Sequence, residues 1–110
     1  MKRVNEIRSS FEEKWNADDS WIENNSIWFK KEVENGDILV EIKETEYFFH
    51  VSFFWKSPMA DERTGMISML HKQTTKNLNV DDLTKWSEEV DLKIESLMKT
   101  NISLISKNQK

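Results

Sequence analysis

The stretch from Ile27 to Lys56 constrains the fold more than any other part of the chain. Its three β-rich runs, separated by short turn sequences, read IWFKKEV, ILVEIK and YFFHVSFFWK. Asn35 and Gly36, between the first two runs, are a strong hairpin signal, because a two-residue type I′ turn requires positive φ at both central positions. We therefore predict three consecutive antiparallel strands.

The predicted hairpin can be checked against the side chains that it would pair. If Asn35 and Gly36 form the loop, Val33 lies opposite Ile38 and Phe29 opposite Ile42 on one face. The other face then pairs Lys30 with Glu41 and Trp28 with Lys43. A slip of one residue would mix apolar and charged side chains on both faces, so we expect the register to be well specified.

The third run alternates in the way that a central strand of a sheet does. We expect its odd positions to form the core face: Tyr47, Phe49, Val51, Phe53 and Trp55. Its even positions are mixed, which indicates that the second face is also partly covered, by a helix or by a partner molecule: Phe48, His50, Ser52, Phe54 and Lys56.

Helical patterns flank the sheet region. Val4, Ile7, Phe11 and Trp15 recur at spacings of three and four, which predicts a helix over residues 2–16. Asn79 followed by acidic residues is typical of a helix start. From there an apolar stripe continues almost to the end of the chain: Leu83, Trp86, Val90, Ile94, Leu97, Met98, Ile102 and Ile105.

This second helix is longer than a body of 110 residues needs, so it either breaks near Thr100 and Asn101 or its last turns project. We expect a frayed tail from about residue 106. Residues 16–26 read as a connector in which Trp21 and Ile22 pack against the body, and residues 57–65 as a loop. Residues 66–75 fit either a helical turn or, as we favour, a fourth strand. The expected fold is a single α+β domain over residues 1–110, with an N-terminal helix, an antiparallel meander of three to four strands and a long C-terminal helix packed on the sheet.

The amino-acid composition limits the classes of protein to which the chain can belong. The chain has 110 residues with 12 aromatics and no cysteine, which excludes disulfides and thiolate metal sites. No apolar run approaches the length that crosses a membrane, and the first residues lack a hydrophobic segment of the secretory kind. We therefore expect a cytoplasmic domain with no membrane partner.

No pattern of catalytic or metal-binding residues stands out. A metal site would combine His50 and His71 with carboxylates such as Asp61 and Glu62, and these do not have ligand spacing on one helix. His50 and Ser52 share a strand face, but no glycine-rich turn provides an oxyanion hole. Two glycines also leave no loop to hold a phosphate. We expect a protein that is not an enzyme and uses no cofactor and no metal.

The distribution of charge indicates the kind of partner. The net charge is −4, and residues 12–46 hold eleven acidic and four basic side chains. Nucleic acid requires clustered Lys and Arg, so a basic protein is the better candidate partner. The five tryptophans are either core residues or, in the case of Trp28, an aromatic anchor within an acidic rim. The expected partner-binding residues are Trp28, Glu32, Glu34, Asp37, Glu41, Glu44 and Glu46.

A small acidic α+β protein with an aromatic-rich sheet is similar in general type to bacterial immunity proteins and antitoxins. That resemblance implies a stoichiometric inhibitor that neutralises a basic toxin such as a nuclease. The sequence leaves the oligomeric state open between monomer and homodimer. The alternative is a homodimeric secretion-type chaperone or scaffold that holds an unfolded protein segment. A small enzyme or ligand-binding cup is a third reading.

Overall fold

The computed structural model describes residues 2–34, 36–57 and 67–108, and within them the side chains from Arg3 to Lys99. In chain order the elements are α1 (Lys2–Trp15), β1 (Asp19–Glu23), β2 (Ser26–Val33), β3 (Gly36–Glu44), β4 (Phe49–Lys56), β5 (Ser68–Thr75) and α2 (Val80–Asn108). The predicted α+β fold is confirmed, with five strands where three to four were expected.

The five strands form one antiparallel sheet in the order β1-β2-β3-β4-β5. The predicted fourth strand is confirmed as β5. The prediction of a connector before Ser26 is wrong, because β1 pairs with β2 through a tight turn at Asn24 and Asn25, whose φ angles are 53° and 64°. Asparagine tolerates this left-handed conformation, which a two-residue hairpin requires at both positions.

The register of the β2–β3 hairpin differs from the prediction by two residues. Phe29 pairs with Val40 and Trp28 with Glu41, and Val33 lies opposite Gly36. A shift of two leaves every side chain on its predicted face, because the side-chain period of a strand is two. The shift also places Ile27 opposite Ile42 in the core, where the predicted register would have set Ile27 against Glu44.

Both helices pack on one face of the sheet, and the core lies between the two layers. α1 contributes Val4, Phe11 and Trp15, and α2 contributes Leu83, Val90 and Ile94. They meet the buried side chains of β2, β3 and β4, which are Ile27, Phe29, Ile38, Val40, Ile42, Phe49, Val51, Phe53 and Trp55. Four of the five predicted core positions of the third run are thus confirmed. Tyr47 is wrong, since β4 begins at Phe49 and Tyr47 is 68% exposed in the turn before it.

The helix ends follow the expected chemistry. Asn16 stops α1 in a left-handed conformation (φ 59°), and Ala17 N–H donates to the Glu12 carbonyl at 3.0 Å. Asn79 Oδ1 accepts from the backbone N–H of Asp82 at 2.8 Å, which confirms the predicted start of α2. α2 then continues without a break to Asn108, a length of about 43 Å at 1.5 Å per residue.

Some predictions concern residues outside the described part of the chain. Asn35 of the predicted hairpin loop, most of the loop over 57–65 with Asp61 and Glu62, and the last two residues fall in this group. The frayed tail expected from about residue 106 stays a prediction.

Candidate protein-binding site

One end of the molecule, where the β2–β3 hairpin meets α2, combines a cavity with several carboxylates. The cavity has a volume of about 260 Å³ and lies between Lys31, Val33 and Ile38 of the hairpin and Ile94 of α2. Three carboxylates also line it, and they belong to Glu34, Asp91 and Glu95. Hydrophobic side chains therefore form part of the wall of a recess whose rim is negatively charged.

Of the recess carboxylates, Asp91 has its charged form disfavoured. Partial burial raises the pKa of Asp91 above its ordinary value, Lys31 opposes this rise, and the neighbouring charges of Glu95 and Glu88 add to it. Among the described residues, Lys31 is the one basic side chain that lines the cavity, and its ammonium lies 5.3 Å from the ring centroid of Trp15. An additional cation in the recess would favour the ionised form of Asp91.

Two further carboxylates lie at the same end, on the other side of the sheet. Glu32 and Asp37 are cross-strand partners, so two like charges stand directly opposite each other, which disfavours the pairing. Lys30 lies 3.5 Å from Glu32, and Lys56 is the β4 partner of Asp37. We use the name acidic end for this set of residues: Glu32, Glu34, Asp37, Asp91 and Glu95.

The seven side chains predicted to bind a partner do not form one surface. Glu32, Glu34 and Asp37 lie at the acidic end, and Glu46 is in the turn at the opposite end of β3. Glu44 faces the helix layer and is 12% exposed, where it accepts a hydrogen bond from the Val4 N–H at 2.9 Å and lies 3.7 Å from Arg3 Nε. Glu44 thus accepts a hydrogen bond from a backbone N–H in the first turn of α1, where such groups have no partner within the helix. This contact gives Glu44 a structural role.

Trp28 and Glu41 lie on the sheet face opposite the helices. We call this the open face, since no described element packs on it. Trp28 stacks with Trp21 of β1 at a centroid distance of 6.3 Å and with Phe54 of β4 at 5.9 Å. Glu41 accepts a hydrogen bond from Ser26 Oγ at 2.9 Å. These rings form a row across the sheet. No described helix covers this second face, so the cover by a partner molecule that the mixed pattern of β4 also allows stays a prediction.

The remaining tryptophans are Trp15 and Trp55, which lie in the core, and Trp86, which stacks on a histidine. Trp15 and Trp55 are buried, and Trp15 donates its indole N–H to Ser87 Oγ at 2.7 Å. Trp86 stacks on His71 at 5.9 Å. The reading of the tryptophans as core residues therefore holds for Trp15 and Trp55, while Trp21 and Trp28 lie on the open face.

The two histidines are on opposite sides of the sheet. His50 Nδ1 lies 3.0 Å from Thr74 Oγ1 on the open face. His71 lies between Phe53 and Trp86, where burial lowers its pKa and Lys93 lowers it further, against the opposing charge of Glu89. Over residues 2–34, 36–57 and 67–108, no group of three or more His, Asp or Glu side chains is arranged to hold a metal ion.

Sequence reasoning missed Asp91 and Glu95. Their spacing of four residues places both on one side of α2, next to the stripe residue Ile94. That signal was available, but the sequence did not show that the tip of the β2–β3 hairpin meets this turn of the helix.

Comparison with protein-family models, with curated proteins and with solved structures finds no match. In the described part of the chain, neither helix combines the length and the apolar character that crossing a membrane requires.

Proposed function

We propose that this chain is a stoichiometric protein-binding protein that captures a basic partner at its acidic end, as an inhibitor of the immunity or antitoxin type does. The observation that supports this most is the cavity between the hairpin and α2, where three carboxylates surround apolar side chains and face a single lysine. The partner would contribute the missing positive charge.

The recess fits a long basic side chain. The methylene groups of a partner lysine or arginine would contact Val33, Ile38 and Ile94, and the charged head would reach the carboxylates at the rim. Arginine suits such a site best, because its planar guanidinium can bind carboxylates in a bidentate fashion.

The free protein holds like charges close together. Glu32 stands opposite Asp37 across the hairpin. Burial raises the pKa of Asp91, and the neighbouring acids raise it further against the charge of Lys31. Unfavourable local arrangements of this kind are typical of functional surfaces, where a partner compensates them. The same carboxylates would attract a basic partner over a distance and speed association at low ionic strength.

The chain would inhibit its partner by occupying the groove in which the partner binds its substrate. A nuclease toxin binds phosphates with a basic groove, and carboxylates inserted there would take the place of the substrate. The chain would act once per partner molecule and perform no turnover. The alternative, a homodimeric secretion-type chaperone or scaffold, is favoured by one observation, the half-buried aromatic row of the open face.

The test uses the basic protein that the immobilised chain captures from a lysate of its source cells, identified by mass spectrometry and then purified. Its association rate would be measured with the native chain and with the double variant Glu34→Gln/Glu95→Gln. We expect the rate to fall by about tenfold or more, and the fall to shrink at 0.5 M salt, since exposed charges are screened.

A matched control removes two exposed acids from α1. Glu6→Gln/Glu13→Gln changes the net charge by the same amount, and both residues lie outside the acidic end. This variant should bind within about twofold of the native rate. Equal losses in the two double variants would show that only net charge matters and would refute the acidic end as the site.

A further inference from the structure

The open face has the size of a protein interface. It presents side chains from all five strands, and no described element packs on it. Five strands about 4.8 Å apart and about eight residues long cover roughly 24 by 26 Å. Two such faces in contact would bury about 1,200 Å², the lower bound of a specific interface.

This face carries apolar side chains at its centre and charges of both signs around them. The apolar group consists of Trp21, Trp28, Leu39, Phe54 and Met69, of which Met69 is 53% exposed. The acids and bases are nearly equal in number, so neither a basic nor an acidic partner is selected. They are Asp19, Glu23, Glu32, Asp37 and Glu41 against Lys30, Lys43, Lys56 and Lys72.

We propose that the open face binds a second copy of this chain, related by a two-fold axis that lies between the two sheets and runs perpendicular to their strands. Such an axis reverses the direction of each strand and leaves the strand order unchanged. With the axis over the middle of β3, between Leu39 and Glu41, Asp37 meets the partner's Lys43. Lys30 then lies over the partner's Trp28, a cation–π arrangement.

The charges disfavour a two-fold axis that runs parallel to the strands over β3. It would place Asp37 on the partner's Asp37 and Glu41 on the partner's Glu41, and it would bring the two acidic ends together. Like charges in contact across an interface are unfavourable, so the perpendicular axis is favoured over that arrangement. In the proposed dimer Glu32 and Asp37 of the acidic end lie in the contact, whereas the recess residues Glu34, Asp91 and Glu95 lie outside it.

Sedimentation equilibrium of the full chain tests this proposal through charge reversal. We expect twice the monomer mass at micromolar concentration. Lys43→Glu would set two acids against each other twice per dimer, and Asp37→Lys would do the same with two bases, so each should raise the dissociation constant by at least about tenfold. The double variant Asp37→Lys/Lys43→Glu should restore it to within about threefold.

A second pair of variants locates the interface independently. Leu39→Glu sets an acid against the partner's Glu41 at the centre of the open face, whereas Leu92→Glu places one on α2, where Leu92 is 66% exposed. Only the first should dissociate the dimer, with circular dichroism showing that both variants are folded. Should Leu39→Glu unfold, the charge-reversal series decides, because Lys43 is exposed.

Three results would overturn the proposal. They are a monomer at all concentrations up to about 1 mM, a dimer that dissociates with Leu92→Glu while tolerating Leu39→Glu, and a double charge reversal no tighter than the single ones. The variant Glu34→Gln/Glu95→Gln leaves the open face unchanged, so its effect on the basic partner is measured independently of the dimer.

Discussion

A buried hydrogen bond joins the two helices. Trp15 of α1 donates its indole N–H to Ser87 Oγ of α2 at 2.7 Å, and Ser87 is 5% exposed. The ring of Phe11 stacks on Trp15, with 5.3 Å between the centroids. A polar bond inside an apolar layer fixes the relative position of the helices, because a shift would leave a buried donor unpaired.

Removing this bond should destabilise the fold measurably. In Ser87→Ala the indole N–H of Trp15 loses its acceptor within the core, so we expect a loss of about 1–3 kcal/mol in the free energy of unfolding. Urea denaturation monitored by tryptophan fluorescence measures it. Ser10→Ala, at an exposed site on α1, is the matched control and should stay within about 0.5 kcal/mol of the native value. Similar losses for both variants would contradict the assigned role of Ser87.

His71 makes the stability depend on pH. Its side chain is 15% exposed, Nδ1 lies 4.0 Å from Glu89 and Nε2 finds no hydrogen-bond partner among the described residues. Because its pKa is lowered in the folded state, the unfolded chain binds the proton more readily. The stability contributed by neutral His71 is therefore present above about pH 6.5 and is lost as the pH falls through the folded-state pKa.

The variant His71→Phe should flatten this dependence, because phenylalanine keeps the aromatic contact and does not titrate. Urea denaturation between pH 7.5 and 5 would measure the change in unfolding free energy for both proteins. We expect the native protein to lose more stability over this range than the variant does. Equal losses would show that other groups control the pH response.

At the scale of the elements, the residues of the hairpin turns explain which strands and registers could be predicted from the sequence and which could not. The alternation of apolar side chains identified β2, β3 and β4 and their buried faces, since those depend only on residue parity. The register of the β2–β3 hairpin and the presence of β1 could be predicted only from the geometry of the turns. Gly36, with φ 119°, opens β3 instead of completing the loop, and the Asn24–Asn25 pair forms the two-residue turn. An Asn-Asn pair is a weaker signal than Asn-Gly, which is why β1 read as a connector.

Helix α2 provides a test in which two of its aspartates respond in opposite directions. Burial raises the pKa of Asp91, so its ionised form costs stability once the pH exceeds the ordinary aspartate pKa. Asp91→Asn should therefore stabilise the protein at pH 7, by up to about 0.5 kcal/mol. A hydrogen bond from Lys14 at 2.8 Å lowers the pKa of Asp81, so Asp81→Asn should destabilise it.

Thermal denaturation of the two variants at pH 7 and pH 3 measures both effects. The gain of Asp91→Asn should disappear at pH 3, where the native carboxyl is protonated in either state. A gain at pH 7 accompanied by weaker partner binding would identify Asp91 as a residue that favours binding over stability. Shifts of the same sign for both variants would contradict the charge assignment.

For the whole molecule, the sequence predicted the fold better than the site. Periodicity specified two helices and a sheet, because each element must bury its own apolar face. Which side chains share one surface could not be predicted without the tertiary structure. In the sequence Glu44 is one acid among many, yet in the structure it faces α1. The recess also includes Asp91 and Glu95, which belong to a helix distant in sequence from the hairpin. Charge counted along the chain therefore indicated a basic partner without showing which carboxylates lie together.

Carboxyl footprinting of the complex tests the central claim most directly. Solvent-accessible Asp and Glu would be labelled with a carbodiimide and glycine ethyl ester, in the free chain and in its complex with the captured basic protein. We predict that Glu34, Asp91 and Glu95 lose most of their reactivity on binding, while Glu6 and Glu13 keep theirs. Unchanged labelling of the acidic end in a stable complex would show that the partner binds elsewhere.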